Sequence, residues 1–330
     1  MKKKIISLIL VLVLVLSLNP VSVWAEGETT GETTEVATFD ELKQAIADNK
    51  SDIVVTADIE LTEELKIDSS SADITVHSKD GSVLTLTRAA ETNGSDSLFY
   101  VTKGKLTFKN ITIDGDAENI GSLHGHAVTV GRDALLTLDS GATIQNCAVN
   151  SYSGAAIYSS GAVIMNEGSA ILNCTCKNNA GAIWMGRSAM FESDLKYFAT
   201  FTMNGGTISG CSTTSVYGSN GGAVCASGNV KINLNGGTIE NNSATGKGGG
   251  IYVEPYVKST YATIKTDAAI TIKNCAIKNN TAQQKGGGIY FGGDTFTVGG
   301  TVDITGNSNA SGTDNVCLGA NKVITADGLN

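Results

Sequence analysis

Residues Gly236–Val253 read GGTIENNSATGKGGGIYV, and residues Ala269–Phe291 read AITIKNCAIKNNTAQQKGGGIYF. Each has a short apolar strand ending in Ile-x-Asn-Asn, a polar loop, a glycine triplet, and a second strand, Ile-Tyr-Val or Ile-Tyr-Phe. The alternation in these strands predicts outer residues turned into a core and a middle residue turned out. Neither unit has enough apolar surface to fold alone, so the repeat predicts stacking.

Fainter copies extend from Lys105 onward. One landmark isoleucine recurs at Ile113, Ile144, Ile171, Ile208, Ile239, Ile277 and Ile304. A second landmark recurs at Val128, Ile157, Ile183, Val224, Ile251, Ile289 and Val316, at spacings of 29, 26, 41, 27, 38 and 27. The base period is near 27, with two inserts of roughly a dozen residues, a length that surface loops absorb at small entropic cost. A third strand completes each unit, as in Leu135–Leu138, Phe201–Met203, Val230–Leu234, Ile270–Ile272 and Phe296–Val298. Three short strands per 27-residue coil predict an all-β parallel β-helix, right-handed by the crossover rule. A β-propeller blade, at roughly 40–45 residues, is too long for this period.

The N-terminus reads differently. Lys2–Lys4, the apolar run Ile5–Leu18 and Val23-Trp24-Ala25 form a secretory signal, expected to be cut after Ala25. Residues 26–36, rich in Gly, Glu and Thr, read as a flexible linker. Residues 37–104 hold a capping helix and the first coils, and residues 105–330 hold the repeats. Thr38-x-x-Glu41 is a capping-box pattern, with Phe39, Leu42, Ala45 and Ile46 on one face. A helix there covers strand edges that would otherwise template aggregation. At the other end Lys322–Thr325 reads as a third strand with no cap after it, so the repeat is expected to be truncated.

Removing the signal takes away three of the 23 basic residues and none of the 32 acidic ones, leaving a net charge of −12. That charge argues against nucleic acid or an anionic membrane surface as partner. With 39 Gly and two Pro, the composition favours many short strands and tight turns over disorder.

These motifs resemble the right-handed parallel β-helix (pectin-lyase-like) repeat proteins, especially adhesin-like secreted and cell-surface members from Gram-positive bacteria. The segment ATFDELKQAI…IVVTADIEL and the GGTI…NN…GGGIYV units carry the resemblance, which covers about Val36 to the C-terminus. Gly221-Gly222-Ala223-Val224 also resembles the GGAI motif of chlamydial polymorphic membrane proteins, but Ile stands where their second motif has Phe. The resemblance implies fold more than activity, because this solenoid hosts lyases, hydrolases and adhesins.

Two columns follow from the register. The outward middle position reads Tyr158, Trp184, Cys225, Tyr252, Tyr290 and Cys317, an aromatic strip able to stack on sugar rings; Tyr256, in the insert after Glu254, joins it as a ligand-binding candidate. Equally, β-propensity and cover by the inserts account for the strip. Three residues after the landmark isoleucine stand Cys147, Cys174, Cys211, Asn242, Asn280 and Asn307, a turn column of stacked amides continued by small buried thiols. Neighbouring coils lie close enough for a disulfide, and seven Cys is an odd number for an exported chain. No metal site is expected, since no His stands near Cys174-Thr175-Cys176.

Asp114, Asp116, His124 and His126 form the one carboxylate–histidine cluster of the repeat region. A lyase or hydrolase needs acids converging on one groove, for Ca²⁺ or for acid–base work. His124-Gly125-His126 resembles the Gly-His-Gly of polygalacturonases, but no Asn-Thr-Asp, Asp-Asp or Arg-Ile-Lys accompanies it. Asp114-Gly115-Asp116 reads more simply as a turn, with the histidines at a loop exit. The preferred reading is a non-catalytic secreted or cell-surface β-helix, adhesin-like, binding glycan or another surface or serving as a stalk, with no cofactor and no membrane contact after signal cleavage. The alternative is a polysaccharide lyase or glycoside hydrolase on acidic polysaccharide, with Ca²⁺ only in the lyase case.

Overall fold

The computed structural model describes residues 33–90, 97–120, 125–187, 196–254 and 266–329. The signal peptide, His124, Tyr256 and most of both inserts lie outside the described residues.

The chain winds into stacked coils whose strands pair almost wholly in parallel, coil upon coil. Three faces correspond to the three strand families of the repeat. The isoleucine face runs from Ile59–Leu61 to Asp303–Thr305 and holds Ile113, Ile144, Ile171, Ile208, Ile239, Ile277 and Ile304 in strict register. The aromatic face runs from Leu65–Ile67 to Val316–Leu318 and carries the second landmark column. The remaining face includes Ala162–Met165, Ala199–Met203, Val230–Leu234, Ala268–Lys273 and Thr295–Gly300. A two-residue strand adds to these three in each later coil, from Ala148–Val149 to Ser308–Asn309. Two residues are too few to show periodicity, so the sequence reads there as loop.

Inward residues of all faces form one continuous core. Because the side chains alternate, every landmark residue stacks on its equivalent about 4.8 Å away, and the core becomes a set of aliphatic ladders. The corner after the isoleucine face explains the Ile-x-Asn signature. Asn146, Asn173, Asn241 and Asn279 have φ between 52° and 57°, and Gly210 and Gly306 replace them at 69° and 67°. A left-handed residue is needed to turn the chain, and Asn and Gly tolerate it best.

The next residue fills the turn column. Asn242 Nδ2 donates to Asn280 Oδ1 at 2.9 Å, Asn280 Nδ2 to Asn307 Oδ1 at 2.9 Å, and Asn307 Nδ2 to Asn315 Oδ1 at 3.1 Å. Each amide also donates to a backbone carbonyl one coil back, at Ile208, Ile239 and Ile277. All three side chains are buried and fully engaged.

The helix spans Phe39–Ala47 and buries Leu42, Ala45 and Ile46. Thr38 caps it with the reciprocal Glu41 contact expected of a capping box. At its other end Asn49 N–H donates to the Ile46 carbonyl and Lys50 N–H to that of Ala45, with Asn49 at φ 53°. That is a Schellman ending. Thr33–Val36, at the end of the segment read as a linker, forms a strand paired in parallel with Asp52–Val55. Its β-branched threonines and Val36 find a free strand edge there, which the composition of the segment alone does not reveal.

Candidate functional site

The outward column of the aromatic face is in register as expected: Tyr158 pairs with Trp184, Trp184 with Cys225, Cys225 with Tyr252, Tyr252 with Tyr290, and Tyr290 with Cys317. It also continues backward through Thr129 to Tyr100 and Lys66. Phe99-Tyr100-Val101 has the same apolar–aromatic–apolar pattern as the later strands, which is the signal that extends the column to Tyr100.

The rings do not form an open platform. Tyr158 stacks on Trp184 with centroids 4.4 Å apart and planes 13° off parallel, and His126 stacks on the other side of Tyr158 at 5.1 Å. Tyr252 and Tyr290 stack at 5.3 Å and 12°. In-register strands bring identical positions so close that the rings satisfy one another face to face. Tyr252 is 7% exposed and Cys225 3%, both packed with Ala180 and with the partly buried Trp184 and Tyr290. Ala180 holds φ 63° where neighbouring coils use Gly154 and Gly221.

A groove of about 850 Å³ runs along this face. Tyr100, Tyr158, Trp184 and Tyr252 contribute to its floor, and from Tyr100 to Tyr252 it crosses five strand steps, roughly 24 Å at about 4.8 Å each. One side is bordered by Ser151–Ser153, Asn178, Asn179 and Asn220, which lie in the loops before the strands. The other carries Gly131, Ser160, Gly186 and Ser227, with Arg132 and Glu254 as the charged groups. Gly186 is there for a packing reason: a Cβ at that position would overlap the Trp184 indole at Cη2 and Cζ2. Its absence lets the indole lie over its own strand.

The border amides are held in place. Asn179 Oδ1 accepts the Asn220 backbone N–H at 2.8 Å, Asn220 Oδ1 accepts that of Lys247 at 2.9 Å, and Asn178 Nδ2 donates to the Ser151 carbonyl at 3.1 Å. Among the described residues Arg132 and Glu254 have no ion-pair partner. Tyr290 does not line the groove; the Lys247 ammonium sits over its ring at 4.6 Å. Tyr152, 45% exposed, joins the groove from a loop and packs edge-on to His126. No strand register reaches a loop residue, so no sequence signal marks it.

The acid–histidine candidates separate into two environments. Asp114 accepts from Gln145 Nε2 at 2.7 Å, Asn146 Nδ2 at 3.0 Å and the Asp116 backbone N–H at 2.8 Å. Asp116, at φ 52°, accepts from Asn119 Nδ2. This is a side-chain-closed turn at the corner of the isoleucine face. His126 instead is buried in the aromatic stack, its Nδ1 donating to the Gly154 carbonyl at 2.7 Å. Burial holds its pKa down to about 4, opposed by that hydrogen bond and assisted by the nearby Arg88 guanidinium. Among the described residues no hydrogen bond or ion pair joins either aspartate to His126, and no cluster of three or more His, Cys, Asp or Glu is arranged to hold a metal ion.

The chain matches no family model, no curated protein and no solved structure.

Proposed function

We propose that this protein is an exported, surface-acting β-helix that binds an extended glycan along the groove of its aromatic face, without chemically altering it. The observation that carries the reading is the groove itself. An elongated cleft over several rigid coils combines apolar ring edges with fixed amides and hydroxyls, the mixture that suits a sugar chain with apolar faces and hydroxyl rims. Because the rings stack on one another, they offer edges and the exposed part of Trp184 rather than a row of open faces. Recognition would then rest more on Asn178, Asn179, Asn220, Arg132 and Glu254 than an aromatic strip alone implies.

Glycoside hydrolysis ordinarily calls for two carboxyl groups flanking the bond. Glu254 is the one carboxylate among the described lining residues, and Asp114 spends its oxygens on a turn. These features favour binding over turnover. The test is a titration of the chain lacking residues 1–25 with a panel of neutral and acidic polysaccharides, read by the fluorescence of Trp184, which is then its one tryptophan. We expect saturable quenching by at least one polymer, abolished by Asn179→Ala with Asn220→Ala, and no new reducing ends or unsaturated products. Product release lost on Asp116→Ala would replace this reading with the hydrolase or lyase one.

A further inference from the structure

Three consecutive coils place cysteine in the turn column that later coils fill with asparagine. The backbone ties them as direct neighbours: Thr175 N–H donates to the Cys147 carbonyl at 2.7 Å, and Ser212 N–H to the Cys174 carbonyl at 2.9 Å. All three are buried free thiols. Cys174 therefore lies between Cys147 on one neighbouring coil and Cys211 on the other, each three residues past a landmark isoleucine held in register with its own. The Cys211 sulfur also leans back across the coil boundary, 3.9 Å from the Ile171 carbonyl.

We propose that Cys174 is the hub of a cross-coil disulfide with two alternative partners, Cys147 and Cys211. Stacked strands lie about 4.8 Å apart, inside the Cα range a disulfide spans, whereas its Cβ atoms must approach to about 3.5–4.5 Å. Closing one bridge therefore draws two coils together at this corner and widens the gap to the third. Together with the single bond a sulfur can form, this makes the two bridges mutually exclusive and leaves one thiol beside the bond. The oxidant is a small-molecule disulfide. A cysteine thiolate attacks one of its sulfurs and expels a thiolate, giving a mixed disulfide. The second cysteine thiolate then displaces the other half, so two protein thiols become one disulfide and one disulfide becomes two thiols. The step belongs to the folding chain, because burial, reinforced by its two thiol neighbours, raises the Cys174 pKa well above the usual range and starves the folded state of thiolate. The inference stands apart from the groove and would survive the loss of the glycan reading.

The test is to refold the reduced, denatured chain with oxidised and reduced glutathione, then denature it in an alkylating reagent and weigh it. Of seven cysteines, two joined leave five alkylated in the wild type. Peptide mapping should find both Cys147–Cys174 and Cys174–Cys211. Cys147→Ser and Cys211→Ser should each keep one disulfide, with four of six cysteines alkylated, while Cys174→Ser and Cys174→Ala, checked for native circular dichroism, should keep none. Glutathione added only after folding should leave seven thiols. Seven alkylated cysteines in the refolded wild type, or a disulfide that persists without Cys174, would overturn the proposal. Because the wild-type measurement needs no variant, a mutant that fails to fold does not remove the test.

Discussion

Replacing Asn280 with alanine removes four hydrogen bonds from the centre of the amide ladder. Its Nδ2 donates to Asn307 Oδ1 and to the Ile239 carbonyl, both at 2.9 Å, and its Oδ1 accepts from Asn242 Nδ2 at 2.9 Å and the Asn242 backbone N–H at 3.0 Å. Some partners are spared. Asn307 Oδ1 retains the Asn280 backbone N–H at 2.9 Å, and Asn242 Nδ2 retains the Ile208 carbonyl at 3.0 Å. Three groups lose their side-chain partner: the Asn242 backbone N–H, one hydrogen of its amide, and the Ile239 carbonyl. A buried polar group left unsatisfied costs roughly 1–3 kcal/mol, so the three together should destabilise the coil by about 3–9 kcal/mol. Solenoids need not unfold in one step, which makes a global midpoint alone a poor witness. The assay is therefore paired: a urea melt, and hydrogen exchange at the Asn242 amide. We expect a lower midpoint together with sharply faster exchange at that amide. A loss under about 1 kcal/mol with the Asn242 amide still protected would refute the ladder accounting. Asn280→Cys, which copies the earlier coils, should fall between the two, because a thiol can reach a carbonyl but is a weak acceptor for the Asn242 amide.

Acid stability should depend on His126. Its folded pKa of about 4 lies below its ordinary value of 6.5, so its contribution is complete above pH 6.5 and is lost as pH falls toward 4. The full swing is about 3 kcal/mol, and His126→Phe should flatten that part of the stability–pH curve in urea melts. At the left-handed corner, Asn241→Gly should be tolerated while Asn241→Val costs about 1–2 kcal/mol or more by thermal denaturation, since φ is 57° there. Gly186→Ala should push the Trp184 indole off its strand, shifting its emission and weakening polysaccharide binding by tenfold or more, although residue 186 offers a ligand no side chain.

Much of this fold was legible because its landmark residues recur near a 27-residue period broken only by two inserts. Landmark residues such as Ile239 and Ile277 occupy one ladder, so spacing alone gives the stacking, the faces and the outward column. The helix was legible through Thr38 and Glu41, a local signal independent of the repeat. What escaped depended on contacts between segments. The strand at Thr33–Val36 exists because Asp52–Val55 offers it an edge, and Tyr152 reaches the groove from a loop that follows no register. The ring orientations were also hidden. Alternation says that Tyr158 and Trp184 point outward, but not that they spend their faces on each other. For Asp114-Gly115-Asp116 the turn reading was the simpler one, and Asp114 does accept from its own turn, but nothing in the sequence shows that His126 enters the aromatic stack.

The amide ladder has a polarity with a bearing on how such a chain changes length. Asn242 is satisfied by the coil after it, and so is Asn280, while Asn307 is closed off by Asn315 only eight residues further along. Terminator and repeating part are thus separate. A second copy of residues 243–280 spliced in after Asn280 would present the same acceptor behind it and the same donor ahead. The two stretches that share the Ile-x-Asn-Asn and Gly-Gly-Gly-Ile-Tyr pattern, 236–253 and 269–291, lie where the molecule can be lengthened by tandem copying with the interior polar network left whole.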